Sequence, residues 1–138
     1  MYKRILVAYD GSAPAEKAFG TALDLAQTHG SELYVLAVCR PLEVADEVEN
    51  EAVIEDSLDR MRRVLVPLEQ VVRDRHVKAH FEAAIGHPAE QIIFHADRIP
   101  ADLIVVGHRG RSRYARLLLG SVAKHVVEYS DRQVLVVR

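Results

Sequence analysis

The sequence predicts an open, doubly wound α/β domain, in which a Rossmann-like sheet of five parallel strands carries helices on both faces. Short apolar runs without polar alternation are typical of strands buried on both sides of a parallel sheet. Between these runs, apolar residues recur at helical spacing. Strands that alternate with helices imply right-handed crossovers. We therefore expect the order β-α-β-α-β-α-β-α-β in a single domain over residues 1–138.

Four strands are predicted by unbroken apolar runs, and a fifth by a weaker, partly alternating run. The unbroken runs cover residues 5–8, 33–38, 103–107 and 134–137. The weaker run covers residues 77–85, and its alternation indicates a position near a sheet edge.

Each predicted helix has one apolar face. The first face consists of Ala15, Ala18, Phe19, Ala22 and Ala26, the second of Leu58, Met61, Leu65, Leu68 and Val72, the third of Ala89, Ile92, Ile93 and Ala96, and the fourth of Leu118, Val122, Val126 and Tyr129. Gly30 is expected to end the first helix, and Pro88 to begin the third. Pro67 lies inside the second helix and is expected to kink or split it, because proline in a helix interior costs about 3 kcal/mol.

Composition excludes several classes of function. The chain is 49% hydrophobic and 28% charged, as in ordinary soluble globular proteins. Its net charge of −2 provides no global attraction for nucleic acid or anionic membranes, and 6% aromatic residues argue against a base-stacking platform. No apolar run is long enough for a membrane span. The single cysteine, Cys39, and the lack of a signal peptide favour the cytoplasm.

The segment after the fourth strand, residues 107–123, concentrates glycine and arginine. Gly107, Gly110 and the pair Gly120-Ser121 allow close approach of a ligand to backbone N–H groups at the start of the last helix. The arginines of this segment, which suit phosphate groups, are Arg109, Arg111, Arg113 and Arg116. Ligands of such sheets bind beyond the carboxyl ends of the strands. The segment therefore predicts a polyphosphate site.

The same segment resembles a known signature. In "GHRGRSRYARLLLGS" a glycine is followed by two residues, a glycine, nine residues and Gly-Ser, which resembles the ATP-binding signature of universal stress proteins. The resemblance extends to "MYKRILVAYDGS", "ELYVLAV", "GHPAEQI", "ADLIVVG" and "VLVVR". Residues 40–75, which include an acidic stretch, lack family-like features.

The resemblance implies a set of nucleotide-binding residues. The phosphates would be held by Gly107, Gly110, Gly120, Ser121 and the amide of Val122, and the adenine pocket would be lined by Ala8, Tyr9 and Val38; Val106 and Arg109 complete the set. The implied ligand is ATP, or ADP or AMP, with Mg²⁺ bound through the phosphates.

Five side chains in or near this set are interpreted individually. Asp10 could contact ribose hydroxyls or reach Mg²⁺ through water, or it could form a local turn with Gly11. Tyr9 could instead pack in the core. For Ser12 we favour an N-cap of the first helix, and for Cys39 the role of a small buried hydrophobe. His108 is treated as accessory to the signature.

Four functional classes remain. The first is a nucleotide-dependent sensor or regulator of stress adaptation, read by an unknown protein partner. The second is an ATPase or a phosphoryl- or nucleotidyl-transfer enzyme, for which the sequence supplies charge neutralisation but no visible base. No P-loop, G-x-G-x-x-G or G-x-S-x-G motif is present, so we expect slow or negligible turnover. The third is a dimeric scaffold that binds no nucleotide. Nucleic-acid binding through the arginines is a weaker fourth class.

Two further expectations concern zinc and self-association. His76 and His80 flank the third predicted strand at a spacing unsuited to a shared zinc ion. The apolar strand from Val134 to Val137 ends the sequence and is predicted to lie at a sheet edge. Such an edge tends to pair with another strand. The sequence and the resemblance both predict a homodimer through this strand.

Overall fold

The computed structural model describes residues 1–41, 50–109 and 119–138. In these ranges strands and helices alternate as the sequence predicts. The strands are β1 (Arg4–Ala8), β2 (Glu32–Cys39), β3 (Ala79–Ile85), β4 (Leu103–Gly107) and β5 (Gln133–Val137). The helices are α1 (Ala13–His29), α2 (Asn50–Asp74), α3 (Pro88–Arg98) and α4 (Ser121–Tyr129).

All five strands form one parallel sheet in the order β3-β2-β1-β4-β5. Val7 of β1 pairs with Val35 on one side and with Val105 on the other, so β1 lies at the centre. The chain leaves β1 towards β2 and leaves β4 towards β5, in opposite directions. The boundary between β1 and β4 is therefore the switch point at which open α/β sheets bind ligands. The predicted fold class is confirmed, and β3 and β5 are the edge strands.

Each face of the sheet has its own apolar core. The first core combines residues of β1, β2 and β4 with α1 and α2, and includes Val7, Phe19, Leu23 and Leu65. The second lies against α3 and α4. Its buried residues are Leu6, Leu36, Ala89, Ile92, Ala96, Ala101, Ile104, Val106, Ala123 and Val126. Alternate residues of one strand point to opposite faces, so Leu6 and Val7 belong to different cores.

Helix α1 begins and ends where the sequence predicts. The Ser12 hydroxyl accepts a hydrogen bond from the N–H of Ala15 at 3.2 Å, which makes it the N-cap. Gly30 ends the helix with φ of 66°, a conformation that favours glycine. All five apolar positions predicted for this face are buried.

Helix α2 is continuous from Asn50 to Asp74, so the expected split at Pro67 is wrong. Pro67 is exposed, whereas its neighbours Leu65 and Leu68 are only 2% and 4% exposed. Burial of leucines on both sides of the proline holds both halves of the helix against the sheet. This packing offsets the lost backbone hydrogen bond.

The fourth predicted helical face is partly wrong. Helix α4 begins at Ser121, and its buried residues are Ala123 and Val126. Tyr129, placed on the apolar face from its spacing, is 68% exposed, and its ring packs at a tilt against that of His125. Leu118 lies outside the described residues.

The amino ends of β1 and β4 are joined through Asp102. Its carboxylate accepts the N–H of Lys3 at 2.7 Å and that of Arg4 at 2.9 Å. The hydrogen bond from Arg4, followed by that from Lys3, holds the pKa of Asp102 below its ordinary value. No helix within the described ranges is long and apolar enough to cross a membrane.

Candidate functional site

The candidate site lies at the carboxyl edge of the sheet, where β1 and β4 end side by side. β1 ends at Ala8 and β4 at Gly107, and a short loop joins β1 to α1. The N–H of Tyr9 donates to the carbonyl of Leu36 at 2.9 Å, which ties the first loop to β2. The N–H of His108 donates to the carbonyl of Val137 at 2.7 Å, which ties the second loop to β5.

The amino end of α4 is fixed against the exit of β4. The N–H of Gly120, the N-cap residue, donates to the carbonyl of His108 at 2.9 Å. The Gly120 carbonyl accepts the N–H of Lys124, also at 2.9 Å. The N–H groups between these two residues belong to the first turn, which has no intrahelical acceptors.

Nothing in the first turn of α4 competes with an anion. Gly120 has no side chain with which to cap the helix, and the first turn contains no acidic residue. By contrast, the amino end of α1 is capped by Ser12. Helix α4 therefore presents backbone donors and the positive end of its dipole at the carboxyl edge of the sheet. This geometry can accept a phosphate group.

Apolar side chains from four elements belong to the second core or pack against it near the carboxyl edge of the sheet. Val106 is 2% exposed within the second core, and Ala8, Val38 and Val122 are partly buried against that core. They come from β4, β1, β2 and α4 respectively. The structure thus places four of the sequence-predicted residues in or against one apolar core, and these four are called the apolar cluster below.

Tyr9 lies on the other face of the sheet. Its ring is 6% exposed in the first core and packs edge-on against Phe19, with centroids 6.1 Å apart. Its hydroxyl donates to the carboxylate of Glu16. Burial, together with this carboxylate, raises the pKa of Tyr9 above its ordinary value. The side chain has the core-packing role that the sequence left open.

Asp10 and Ser12 form a local turn before α1. The Asp10 carboxylate accepts the N–H of Ser12 at 2.9 Å, and Gly11 has φ of 81°. These contacts are the turn chemistry considered for Asp10 from the sequence. They also fix the position of the carboxylate at the end of β1.

Gly107 has a packing role that the sequence did not reveal. A Cβ atom at this position would lie 3.0 Å from both the carbonyl carbon and the oxygen of Pro14, and 3.1 Å from its Cβ. The side chain of residue 107 would therefore point at the first turn of α1. The close contact between β4 and α1 leaves little room for a Cβ atom here, independently of any ligand.

Part of the signature lies outside the described residues. Gly110, Arg111, Arg113 and Arg116 all belong to that part. His108 and Arg109 are described and partly buried, and both line a small pocket beside α1. The phosphate-binding roles of these residues stay predictions.

Cys39 differs from its expected environment. It ends β2 and is partly exposed rather than buried, because it lies at the open carboxyl edge of the sheet. Its thiol is 3.5 Å from the carbonyl of Arg40. The expectation of a small buried hydrophobe is wrong for this residue.

One residue of the apolar cluster was missed by sequence reasoning. Leu119 is partly buried against the second core, directly before the N-cap Gly120. An apolar residue immediately before a helix cap often packs to fix the entry of the chain into the helix. That position was the available signal.

No group of three or more His, Cys, Asp or Glu side chains in the described ranges could hold a metal ion.

The whole chain is similar in sequence to one protein family. The model of the universal stress protein family matches residues 1–138. The universal stress protein YxiE of Bacillus subtilis is 34% identical over 153 residues, covering 100% of both chains. A universal stress protein of Thermus aquaticus is 36% identical over 142 residues, again with complete coverage of both.

Solved structures show the same architecture. The chain superposes on universal stress protein UspA from Lactobacillus plantarum with a TM-score of 0.89 and 27% identity, covering 99% of this chain and 98% of that one. A universal stress protein solved in complex with cAMP gives a TM-score of 0.76 and 25% identity, with coverage of 99% and 97%.

Proposed function

Since the chain belongs to the universal stress protein family, we propose that it binds an adenine nucleotide at the carboxyl edge of its sheet and acts as a nucleotide-dependent sensor or regulator in stress adaptation. The observation that carries the proposal is the amino end of α4, which lacks both a side-chain cap and an acidic first turn, beside the apolar cluster of Ala8, Val38, Val106 and Val122. The cAMP complex of a structural neighbour supports the choice of an adenine nucleotide.

In this proposal the two parts of the site bind different parts of the ligand. The N–H groups of Ser121 and Val122 donate to phosphate oxygens, and the positive end of the α4 dipole offsets their charge. The apolar cluster covers the base. Arg109 and the signature glycines, Gly110 included, complete the phosphate site as the family resemblance implies.

Mg²⁺ would accompany a di- or triphosphate. This cation prefers oxygen ligands and keeps several waters, so phosphate oxygens and water molecules would be most of its ligands. The fixed carboxylate of Asp10, at the end of β1, could reach it through water or accept from ribose hydroxyls. The ion would reduce the charge of the phosphates.

Binding without rapid hydrolysis is the expected behaviour. Phosphoryl transfer requires a group that positions the attacking water in addition to charge neutralisation. The described groups assigned to phosphate are backbone N–H groups and Arg109, which neutralise charge but do not position water, and the Asp10 carboxylate accepts the N–H of Ser12. We propose regulation rather than catalysis, with slow ATP hydrolysis or a dimeric scaffold as alternatives.

Calorimetric titration of the nucleotide-stripped protein with ATP and Mg²⁺, with phosphate release followed in parallel, tests this function. We expect saturable binding with at most slow release of phosphate. Rapid release at saturation would favour the enzyme. The titration is repeated with AMP and with cAMP. If none of the three nucleotides bound, the dimeric scaffold would become the better interpretation.

We also propose a homodimer through β5. This strand is an edge of the sheet, and its residues Val134 to Val137 are only partly buried. Antiparallel pairing with the same strand of a second copy would satisfy its outer backbone groups. Gel filtration with light scattering should give twice the 15.5 kDa chain mass. A monomer at every concentration up to the millimolar range would contradict the dimer.

A further inference from the structure

The small pocket that His108 and Arg109 line lies beside α1, where the chain leaves β4. Its volume is about 180 Å³, and Pro14 of α1 and Val137 of β5 form part of its apolar wall. Helix α4 packs on the opposite face of the sheet, so this pocket faces away from the α4 core. Pockets for drug-sized organic ligands have roughly 300–1,000 Å³. The smaller volume favours an occupant of the size of a phosphate or a diphosphate.

The polar lining of this pocket is cationic. Lys17 of α1, Arg109 after β4 and Arg138 after β5 line it together with His108, and none of the described lining residues is acidic. The three cations come from distant parts of the sequence and are brought together by the β4 and β5 exits meeting α1. Since the whole chain has a net charge of −2, this positive site is a local feature.

These three cations lack counter-charges in the described part of the chain. Elsewhere, Arg62, Arg75 and Arg132 each form an ion pair with an aspartate. Among the described residues, no Asp or Glu side chain forms an ion pair with Lys17, Arg109 or Arg138. Like charges around one pocket repel each other unless an anion occupies it. A multivalent anion interacts most favourably with such a pocket, because it can pair with several of the cations at once.

We propose that this pocket binds a phosphate-type anion, with Lys17, Arg109 and Arg138 as its cationic ligands. The two guanidinium groups offer paired N–H donors to phosphate oxygens, and the ammonium group adds a mobile point charge. The phosphate has two conceivable sources: free inorganic diphosphate, or the terminal phosphates of a nucleotide bound at α4. In the second case the inference rests on the proposed function.

Calorimetric titration of the full chain with sodium diphosphate, without Mg²⁺ and at low salt, tests the first source. Lys17→Ala and Arg138→Ala should each weaken diphosphate binding by about tenfold, because each removes one charge-assisted hydrogen bond. Lys78→Ala removes the same charge from an exposed position just before β3, at the opposite edge of the sheet, and should leave binding unchanged. Lys17 is exposed within a helix, so alanine there should preserve the fold.

Parallel titrations with AMP and ATP test the second source. If the phosphates come from a nucleotide, ATP should bind more tightly than AMP, and Lys17→Ala should remove that advantage without weakening AMP. Diphosphate binding without AMP binding would retain the pocket and reject the proposed nucleotide site. If Lys17→Ala and Arg138→Ala changed neither diphosphate binding nor the ATP advantage, or if the unmodified protein showed neither, the inference would be wrong.

Discussion

Replacement of Ser121 by glutamate is expected to weaken nucleotide binding by about 100-fold while leaving the fold intact. Ser121 is exposed at the first position of α4, next to the N–H groups proposed to hold phosphate. Two unit charges 4 Å apart interact by about 4 kcal/mol at an effective dielectric of 20, and exposure reduces this to the roughly 2.7 kcal/mol of a 100-fold change. Calorimetry with ATP or AMP measures the effect.

The same substitution should not destabilise the protein, which separates a binding effect from a folding effect. An acidic side chain at a helix amino end interacts favourably with the dipole, by about 0.3–1 kcal/mol. Urea unfolding should therefore show unchanged or slightly increased stability. Ser121→Gln matches glutamate in size without its charge and should keep affinity within a few-fold. Wild-type affinity in Ser121→Glu would show that phosphate binds elsewhere.

Gly107→Ala is expected to lower the free energy of unfolding by about 1–3 kcal/mol, in the absence of any ligand. The new Cβ would lie 3.0 Å from backbone atoms of Pro14, which cannot move aside as the end of a flexible side chain can. Relief would require α1 to shift away from β4. Gly107→Val should cost more, since it adds two methyl groups at the same contact. Urea unfolding of both variants provides the measurement.

Gly20→Ala is the matched control for this effect. Gly20 lies inside α1, and a Cβ there would meet nothing within 4 Å. Alanine should therefore stabilise α1 by up to about 1 kcal/mol through its higher helix propensity. If Gly107→Ala were as stable as the parent, the contact with Pro14 could relax freely. Gly107 would then owe its identity to the ligand instead.

The fold was predictable because its signals are local. Unbroken apolar runs located the strands, and the helical spacing of Ala18, Ala22 and Ala26 located the buried face of α1. Spacing was less informative in the short helix α4, where it predicted that Tyr129 lies on the buried face. A helix of nine residues turns only two and a half times, so its packing partners decide which residues are buried. Similarly, tertiary burial of Leu65 and Leu68 overrode the local signal of Pro67.

The candidate site was only partly predictable. The signature glycines and Ser121 marked the start of α4, because cap residues are recognisable from neighbours in sequence. Ala8 and Tyr9 were assigned to the same pocket, although adjacent residues of a strand point to opposite faces. The structure places Ala8 beside the second core and Tyr9 in the first. The structure thus gives the Tyr9 side chain the core-packing role considered for it, and a binding role for Tyr9 stays a prediction.

By itself, the sequence determined the order of elements, the parallel sheet, the capped start of α1 and the family. Each follows from residue spacing or from a contiguous motif. Only the tertiary structure decided that Gly107 must accommodate Pro14, and that Lys17 and Arg138 share a pocket with Arg109. These contacts join residues far apart in the chain. Their proximity depends on how α1 lies across the exits of β4 and β5, which no local pattern encodes.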